Sequence, residues 1–361
     1  MIPKADTRYE ALRLLAFFEA NGAQAVETDI LQPAEVLLDL YGEDIRARAY
    51  VTSDALRGEQ MLRPDFTVPV VQMHMEHGAE PARYAYAGEV FRRQEEDIAR
   101  PSEFMQVGYE VFERENPAVA DAEVFALFNE VLAPLGLRAA TGDMGILMAA
   151  VRGLSTTDRR KSALLRHIWR PKRFRALLER FGGKAKVPAA RAALLASEDA
   201  MVGAGPFNGL RSKGEIEARI TALKADAAEP PISDGEAAIL DDILNLREKA
   251  PMVLERLRDI AVDLPAITPA VEMMDARLTA MVGRGMDVDA LDFEGSYGRT
   301  TLEYYDGFVF GFYAEARPDL PAVASGGRYD ALTRVLGQGR SIPAVGGVIR
   351  PEMVLALGGQ S

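Results

Sequence analysis

The fold class this sequence predicts is α+β: an antiparallel sheet flanked by helices, with a mostly helical insertion. Three observations lead there. Segments with aromatic and β-branched residues at alternate positions cluster between Ala49 and Phe112, as half-buried antiparallel strands require. From about Thr141 to Met286 the apolar residues fall instead at helical spacing. The alternating pattern then returns and runs nearly to the end of the chain. Strands early, helices in the middle and strands late imply one core domain, 1–140 with 287–361, interrupted by an insertion at 141–286.

The elements follow in order. Thr7 and Glu10 are spaced as a capping box for a first helix, which carries Leu12, Leu15 and Phe18 on one face and closes at Asn21-Gly22. A turn at Pro33 leads to a second helix from about Ala34. Strands are expected in "ARAYVTSD", "QMLRPDFTVPVVQMHM", "RYAYAGEVFRRQ" and "EFMQVGYEVFE". "VADAEVFALFNEVLAPLG" predicts a helix with Val124, Leu127, Phe128 and Val131 on one face. Within the insertion, "LLRHIWRPKRFRALLERF", "GEAAILDDILNLREK" and "AVEMMDARLTAMVG" are amphipathic. "TTLEYYDGFVFGFYAEA" resumes the strands, with Phe308, Phe310 and Phe312 on one face. "AVASGGRYDAL" and "SIPAVGGVIRPEMVLAL" finish the sheet, the latter running from a glycine-containing strand into a short apolar helix.

Composition excludes several function classes. With 361 residues and 48% hydrophobic content there is ample material for a core. The 42 Lys+Arg against 54 Asp+Glu give a formal charge of −12, which disfavours nonspecific nucleic-acid binding. The absence of cysteine removes disulfides, zinc-thiolate sites and thiol nucleophiles. No apolar run approaches the length of about 18 residues that a spanning helix needs, and no secretory signal is recognisable. A cytoplasmic protein with no membrane or nucleic-acid partner is expected.

Several features have ordinary readings. His74 and His77 are spaced for one helical face but lack a third ligand type, so no metal site is expected. "GAGPFNG" is a loop without the strand, helix and lysine of a phosphate-binding motif. The run Arg159–Arg175 holds eight Lys/Arg and no acid; it reads as a solvated helical face or as a docking surface for an acidic partner.

Polar residues inside the strand region point to a pocket. Asp65 and Thr67, and likewise Gln106 and Glu110, have even spacing and should project from one face of their strands. Left unpaired in a core, such groups cost several kcal/mol. They form either a buried structural network or, with Arg92, a site having two carboxylates, an amide, a hydroxyl and a guanidinium. Two carboxylates suit an α-ammonium or imidazole, and an arginine suits a carboxylate. That composition fits an amino acid, with Tyr304, Tyr305 and Tyr329 as walls or hydroxyl donors.

These stretches together resemble the catalytic core of class II aminoacyl-tRNA synthetases, most closely histidyl-tRNA synthetase. "TDILQPAEVL" is similar to the dimer-forming motif around its proline, here Pro33. "LRPDFTVPVV" resembles a leucine-arginine-proline-glutamate segment, and "GEVFRRQ" with "EFMQVGYEVF" resembles the motif 2 strand pair. "LEYYDGFVF" and "SGGRYDAL" resemble the two histidine-specific signatures, and the last strand and helix resemble motif 3. The resemblance spans roughly residues 7–135 and 288–357. Positions similar to the histidine pocket are largely kept: Asp65 (for glutamate), Thr67, Arg92, Gln106, Glu110, Tyr305 and Tyr329. Positions implied to serve ATP are not. The motif 3 arginine falls on Met353, the arginine that stabilises charge during adenylation falls on Thr300, and the motif 2 glutamate falls on Gln94. Losing one preorganised donor typically costs on the order of 10²–10³ in rate. No anticodon-binding domain is expected either.

A synthetase-like core that holds histidine but neither ATP nor tRNA resembles the regulatory-subunit family of ATP phosphoribosyltransferase. The resemblance implies a non-catalytic subunit with no cofactor. It would be a homodimer within a larger hetero-oligomer with the short-form catalytic subunit, and L-histidine would be its ligand. A truncated histidyl-tRNA synthetase, an amino-acid ligase on the same core, or a purely structural subunit are the competing readings.

Overall fold

The first helix, α1 (Lys4–Ala20), enters from Pro3, whose φ of −61° is already set for the turn. It starts one turn before the expected capping box. Thr7 bonds back to the Pro3 carbonyl at 3.3 Å, and Glu10 pairs with Arg13 at 2.7 Å, so neither side chain caps. The buried stripe is correspondingly Thr7, Ala11, Leu14 and Phe18, while Leu12 is exposed. Asn21 and Gly22, with φ +91°, end the helix as expected.

The computed structural model describes residues 2–34, 49–94, 101–203, 205–299 and 304–358. The expected second helix beyond Ala34 lies outside the described residues. Two compact units are present: Met1–Ala149 with Ile243–Ser361, and Ala150–Asp242.

Among the described residues the strands are β1 (Gln24–Ala25), β2 (Leu31–Pro33), β3 (Val51–Asp54), β4 (Gly58–Leu62), β5 (Ala82–Phe91), β6 (Glu103–Phe112), β7 (Arg138–Asp143), β8 (Arg247–Lys249), β9 (Asp292–Glu294), β10 (Phe308–Tyr313), β11 (Ala324–Arg328) and β12 (Ala344–Ile349). Nine of these described strands form one sheet in the order β1-β5-β6-β12-β11-β10-β7-β9-β8. Its centre is antiparallel, and β1 with β5 and β7 with β9 are parallel pairs. A small sheet, β2-β4-β3, stands apart.

The helices after α1 are α2 (Thr67–His77), α3 (Pro117–Leu132), α4 (Met144–Gly153), α5 (Asp158–Arg166), α6 (Pro171–Phe181), α7 (Ala189–Ala196), α8 (Lys213–Ala228), α9 (Asp234–Asn245), α10 (Ala250–Asp263), α11 (Thr268–Gly283), α12 (Asp330–Leu336) and α13 (Pro351–Gly358). The expected face of α3, Val124, Leu127, Phe128 and Val131, is buried. Phe125 and Phe128 of α3 meet the predicted β10 row, with Phe125 stacked on Phe312 at 5.4 Å and Phe128 edge-on to Phe310 at 5.5 Å. Phe18 of α1 completes this side by stacking on Tyr109 of β6 at 5.1 Å.

Two expectations need correction. The segment "QMLRPDFTVPVVQMHM" is not one strand: β4 ends at Leu62, and Thr67 begins α2. Its β-branched run suggested a strand, yet Val68, Val71 and Met75 are buried at helical spacing. Pro69 sits in the first helical turn, where an N–H has no intrahelical partner to lose. The insertion is also narrower than 141–286. β7, β8 and β9 are strands of the main sheet, and α10 and α11 belong to the first unit. An amphipathic stripe does not reveal what it packs against. Here α11 is tied in by Arg277, which bonds Asp121 of α3 at 3.1 Å and Asp143 of β7 at 2.7 Å.

Candidate functional site

Cross-strand partners share a face of the sheet, and the face opposite the phenylalanine row carries the polar residues. On it Gln106 pairs with Gly88, Gly108 with Tyr86 and Val348, and Glu110 with Tyr84 and Gly346. Gly346 in turn pairs with Gly327 of β11. The glycines are volume left for other side chains. A Cβ on Gly346 would come within 1.5 Å of Glu110 Oε2, and one on Gly108 within 2.1 Å of the Tyr86 ring. At Gly327 it would meet the Tyr305 ring at 2.8 Å.

Glu110 is the centre of this arrangement. It is fully buried and accepts hydrogen bonds from Thr67 Oγ1 at 3.1 Å, Tyr86 Oη at 2.8 Å and Tyr329 Oη at 2.5 Å. Burial pushes its carboxyl up to about 7, opposed by the three hydroxyl donors and reinforced by the nearby negative charge of Asp65. Burial also drives the phenols of Tyr86 and Tyr329 well above their usual range, so both remain donors at neutral pH. Tyr304 packs edge-on to Tyr305 at 4.8 Å and to Tyr329 at 6.1 Å, making an aromatic wall beside the carboxylate.

Gln106 lies one repeat along the same face from Gly108. Both its amide oxygen and its amide nitrogen are buried with no hydrogen-bond partner among the described residues. A buried polar group left unmatched costs about 1–3 kcal/mol, so this amide is arranged for something other than the ligand-free fold. Arg92, beyond the end of β5, donates from Nε to the Pro64 carbonyl at 2.7 Å and lies over Phe104. It makes no ion pair with a carboxylate among the described residues, and its positive charge bears on Tyr305.

Of the residues singled out in the sequence, Thr67, Glu110 and Tyr329 are joined directly by hydrogen bonds. Asp65, Gln106 and Tyr305 are buried around them, and Arg92 lies at the edge. Asp65 and Thr67 do not share a strand face. Asp65 precedes α2, where its Oδ1 accepts from the Val68 N–H at 3.4 Å, and Thr67 opens that helix. Both are drawn inward where Phe66 stacks on Tyr86 of β5 at 4.3 Å and Thr67 bonds Glu110 of β6. Tyr86 was not anticipated as a site residue. Its signal was available in principle, since it shares a strand face with Tyr84 and Gly88 in β5, but only the β5–β6 register sets it beside Glu110.

His74 is a core residue: its Nδ1 lies 3.1 Å from Tyr84 Oη and its ring stacks on Phe112 at 3.9 Å. Among the described residues no cluster of three or more His, Asp or Glu side chains could hold a metal ion. Glu352 is engaged, accepting the Met105 N–H at 3.3 Å, and Met353 follows it on α13. Thr300 lies outside the described residues.

The family model of histidyl-tRNA synthetase matches residues 2–354. An ATP phosphoribosyltransferase regulatory subunit from Agrobacterium fabrum is 33% identical, the match covering 96% of this chain and 96% of the relative. One of the same description from Rhizobium rhizogenes is 31% identical over 96% of each. A solved structure from Bacillus halodurans, described as an ATP phosphoribosyltransferase regulatory subunit/histidyl-tRNA synthetase, superimposes with a TM-score of 0.69 at 20% identity. That superposition covers 99% of this chain and 80% of the other. Histidyl-tRNA synthetase from Nostoc gives 0.64 at 18% identity, over 97% and 72%. The structural likenesses establish a class II synthetase fold.

Proposed function

Since the chain belongs to the histidyl-tRNA synthetase-like family of ATP phosphoribosyltransferase regulatory subunits, we propose that it binds free L-histidine in the pocket around Glu110 and Gln106. Occupancy of that pocket would be relayed to a catalytic subunit. The protein is a non-catalytic regulatory subunit serving the first step of histidine biosynthesis. Feedback by histidine, a homodimer within a hetero-oligomer and a cytoplasmic location complete the reading.

One observation carries it: Gln106 presents a buried amide with neither atom partnered, next to a buried carboxylate ringed by hydroxyls. Glu110 accepts from an imidazole N–H, the contact that separates histidine from an apolar side chain of similar size. Asp65 and Thr67, with Gln106, take the α-ammonium, and Arg92 takes the carboxylate. Tyr305 walls the ring and Tyr329 keeps Glu110 in place.

Titration calorimetry tests this. L-Histidine should bind the wild type, and Glu110→Ala should bind roughly tenfold or more weakly. Equal affinities in the two would move the histidine site elsewhere. The regulatory role is read by co-purifying the catalytic subunit and titrating its activity with histidine, where no response would exclude feedback through this chain. ATP–pyrophosphate exchange dependent on histidine should be absent, because Met353 stands where an arginine would clamp phosphate. Clear exchange in a clean preparation would restore the amino-acid-activating alternative.

A further inference from the structure

We propose that Arg350 is the second cation of a carboxylate site shared with Arg92, so that the pocket selects amino acids with a free α-carboxylate. This rests on the histidine reading above and deepens it.

Arg350 directly follows β12, whose last residue, Ile349, pairs with Val107 of β6. It therefore leaves the strand beside Gln106, at the end of the pocket where Arg92 emerges from β5. The Arg350 guanidinium donates from Nη1 to the Ala322 carbonyl, and its backbone N–H bonds the Val323 carbonyl at 2.9 Å. It forms no ion pair with a carboxylate among the described residues. Three other enclosed arginines differ: Arg160 meets Asp226, Arg277 meets Asp121 and Asp143, and Arg328 meets Asp121 and Asp330. Buried Arg63 is like Arg350 in donating to backbone carbonyls, those of Glu89 and Thr28, but it lies over the Phe66 ring.

Electrostatics agree with the geometry. Burial, and next the positive charge of Arg92, push Arg350 down to about 10, while the phenols of Tyr305, Tyr313 and Tyr297 work the other way. Glu352 also feels the Arg350 charge, but its carboxylate accepts the Met105 N–H. Two guanidiniums brought together in an enclosed site repel each other until an anion lies between them. A carboxylate supplies two oxygens and one negative charge, which two planar donor forks match by charge-assisted hydrogen bonds. The acidic half of the pocket, Asp65 and Glu110, would hold the ammonium and imidazole of the same molecule. Charge is thus sorted along the pocket as it is along a free amino acid. Histidinol, histidinamide and histidine esters present the same imidazole and ammonium without the anion.

The test is calorimetry with L-histidine, L-histidinol, L-histidinamide and inorganic phosphate on the wild type, Arg350→Gln and Arg350→Lys. The wild type should take L-histidine at least tenfold more tightly than histidinol or histidinamide. Arg350→Gln should lose about tenfold or more for L-histidine and much less for histidinol, narrowing the ratio. Arg350→Lys, which keeps the charge and guards against a folding defect, should fall between. Unchanged L-histidine affinity and an unchanged ratio in Arg350→Gln would overturn this inference and leave the histidine pocket standing. Failure of the wild type to bind L-histidine at all would overturn both. Phosphate binding that is lost in Arg350→Gln while L-histidine affinity is unchanged would show the pair to be a phosphate site and count against the carboxylate assignment.

Discussion

Glu110 and Gly346 are cross-strand partners, and the carboxylate lies where the glycine's missing side chain would be, 1.5 Å from an ideal Cβ. The contact ties β12 to the site without β12 contributing a functional group there. Gly346→Ala should force Glu110 off its three hydroxyl partners, lowering thermal stability and weakening histidine binding about tenfold or more. Combining it with Glu110→Ala should restore part of the stability, since the clash is gone, but none of the binding. Thermal melts and calorimetry on the single and double variants check this, and a stable, binding-competent Gly346→Ala would refute the close approach.

Glu110 should also set a pH dependence in the ligand-free protein. Its carboxyl sits near 7 in the fold against an ordinary 4.5, so the fold holds that proton more firmly than the unfolded chain does. The stability it contributes is full below the ordinary value, declines as pH rises between the two, and is lost above the folded one. Glu110→Gln stays neutral throughout. Between pH 4.5 and 8, stability should therefore move in the variant's favour by on the order of 2–3 kcal/mol. Urea unfolding of both proteins at the two pH values measures it. No relative change would mean that the surrounding hydroxyls keep Glu110 ionised at an ordinary value.

How much of this was legible beforehand depends on the element. Alternation is a strong signal when one face is buried, so Phe308, Phe310 and Phe312, and the shared face of Gln106 and Glu110, could be read directly. The β-branched run at 67–71 misled because side-chain shape alone does not separate a buried helix turn from a strand. The insertion's limits were blurred by strands as short as β8 and β9, of three residues each, which carry too little pattern to detect. Tyr86 could be assigned to the site only through the β5–β6 register, because residues 24 apart in sequence are brought together by pairing. The chemistry of the pocket was more legible than its scaffold, because polar residues in apolar strands stand out wherever the strands go.

A homodimer should form through the small sheet. Ile30, Leu31, Tyr50, Val51 and Leu56 are all exposed on or beside β2 and β3, next to Pro33. Such a concentration of apolar side chains, together with two edge strands, is an association surface or a liability. Light scattering at micromolar concentration should report about twice the chain mass of 39.4 kDa. Leu31→Glu with Val51→Glu should shift it to monomer, because both charges would be buried unpaired at the interface. A wild-type mass of 39.4 kDa would end the proposal.

The basic run offers a last prediction, refined by where its side chains go. Arg159–Arg175 spans α5 and α6, and not all of it faces outward. Arg160 is turned in, its Nε 2.8 Å from Asp226, and Arg175 bonds Asp241 at 3.1 Å. Arg159, Arg166, Lys172 and Arg173 are exposed and form no ion pair among the described residues. On a chain of net charge −12, an unneutralised cationic stretch of this kind attracts an acidic partner surface. Reversing Arg166, Lys172 and Arg173 to glutamate should slow association with the catalytic subunit, on the order of tenfold at low salt. The difference should shrink as ionic strength rises and the Debye length falls to about 8 Å near 0.15 M. Arg160→Glu is a poor substitute for this test, since it would place a second acid against Asp226 inside the helical unit and unfold it locally. Association rates of the triple variant that match wild type across salt concentrations would leave the run as a solvated face with no docking role.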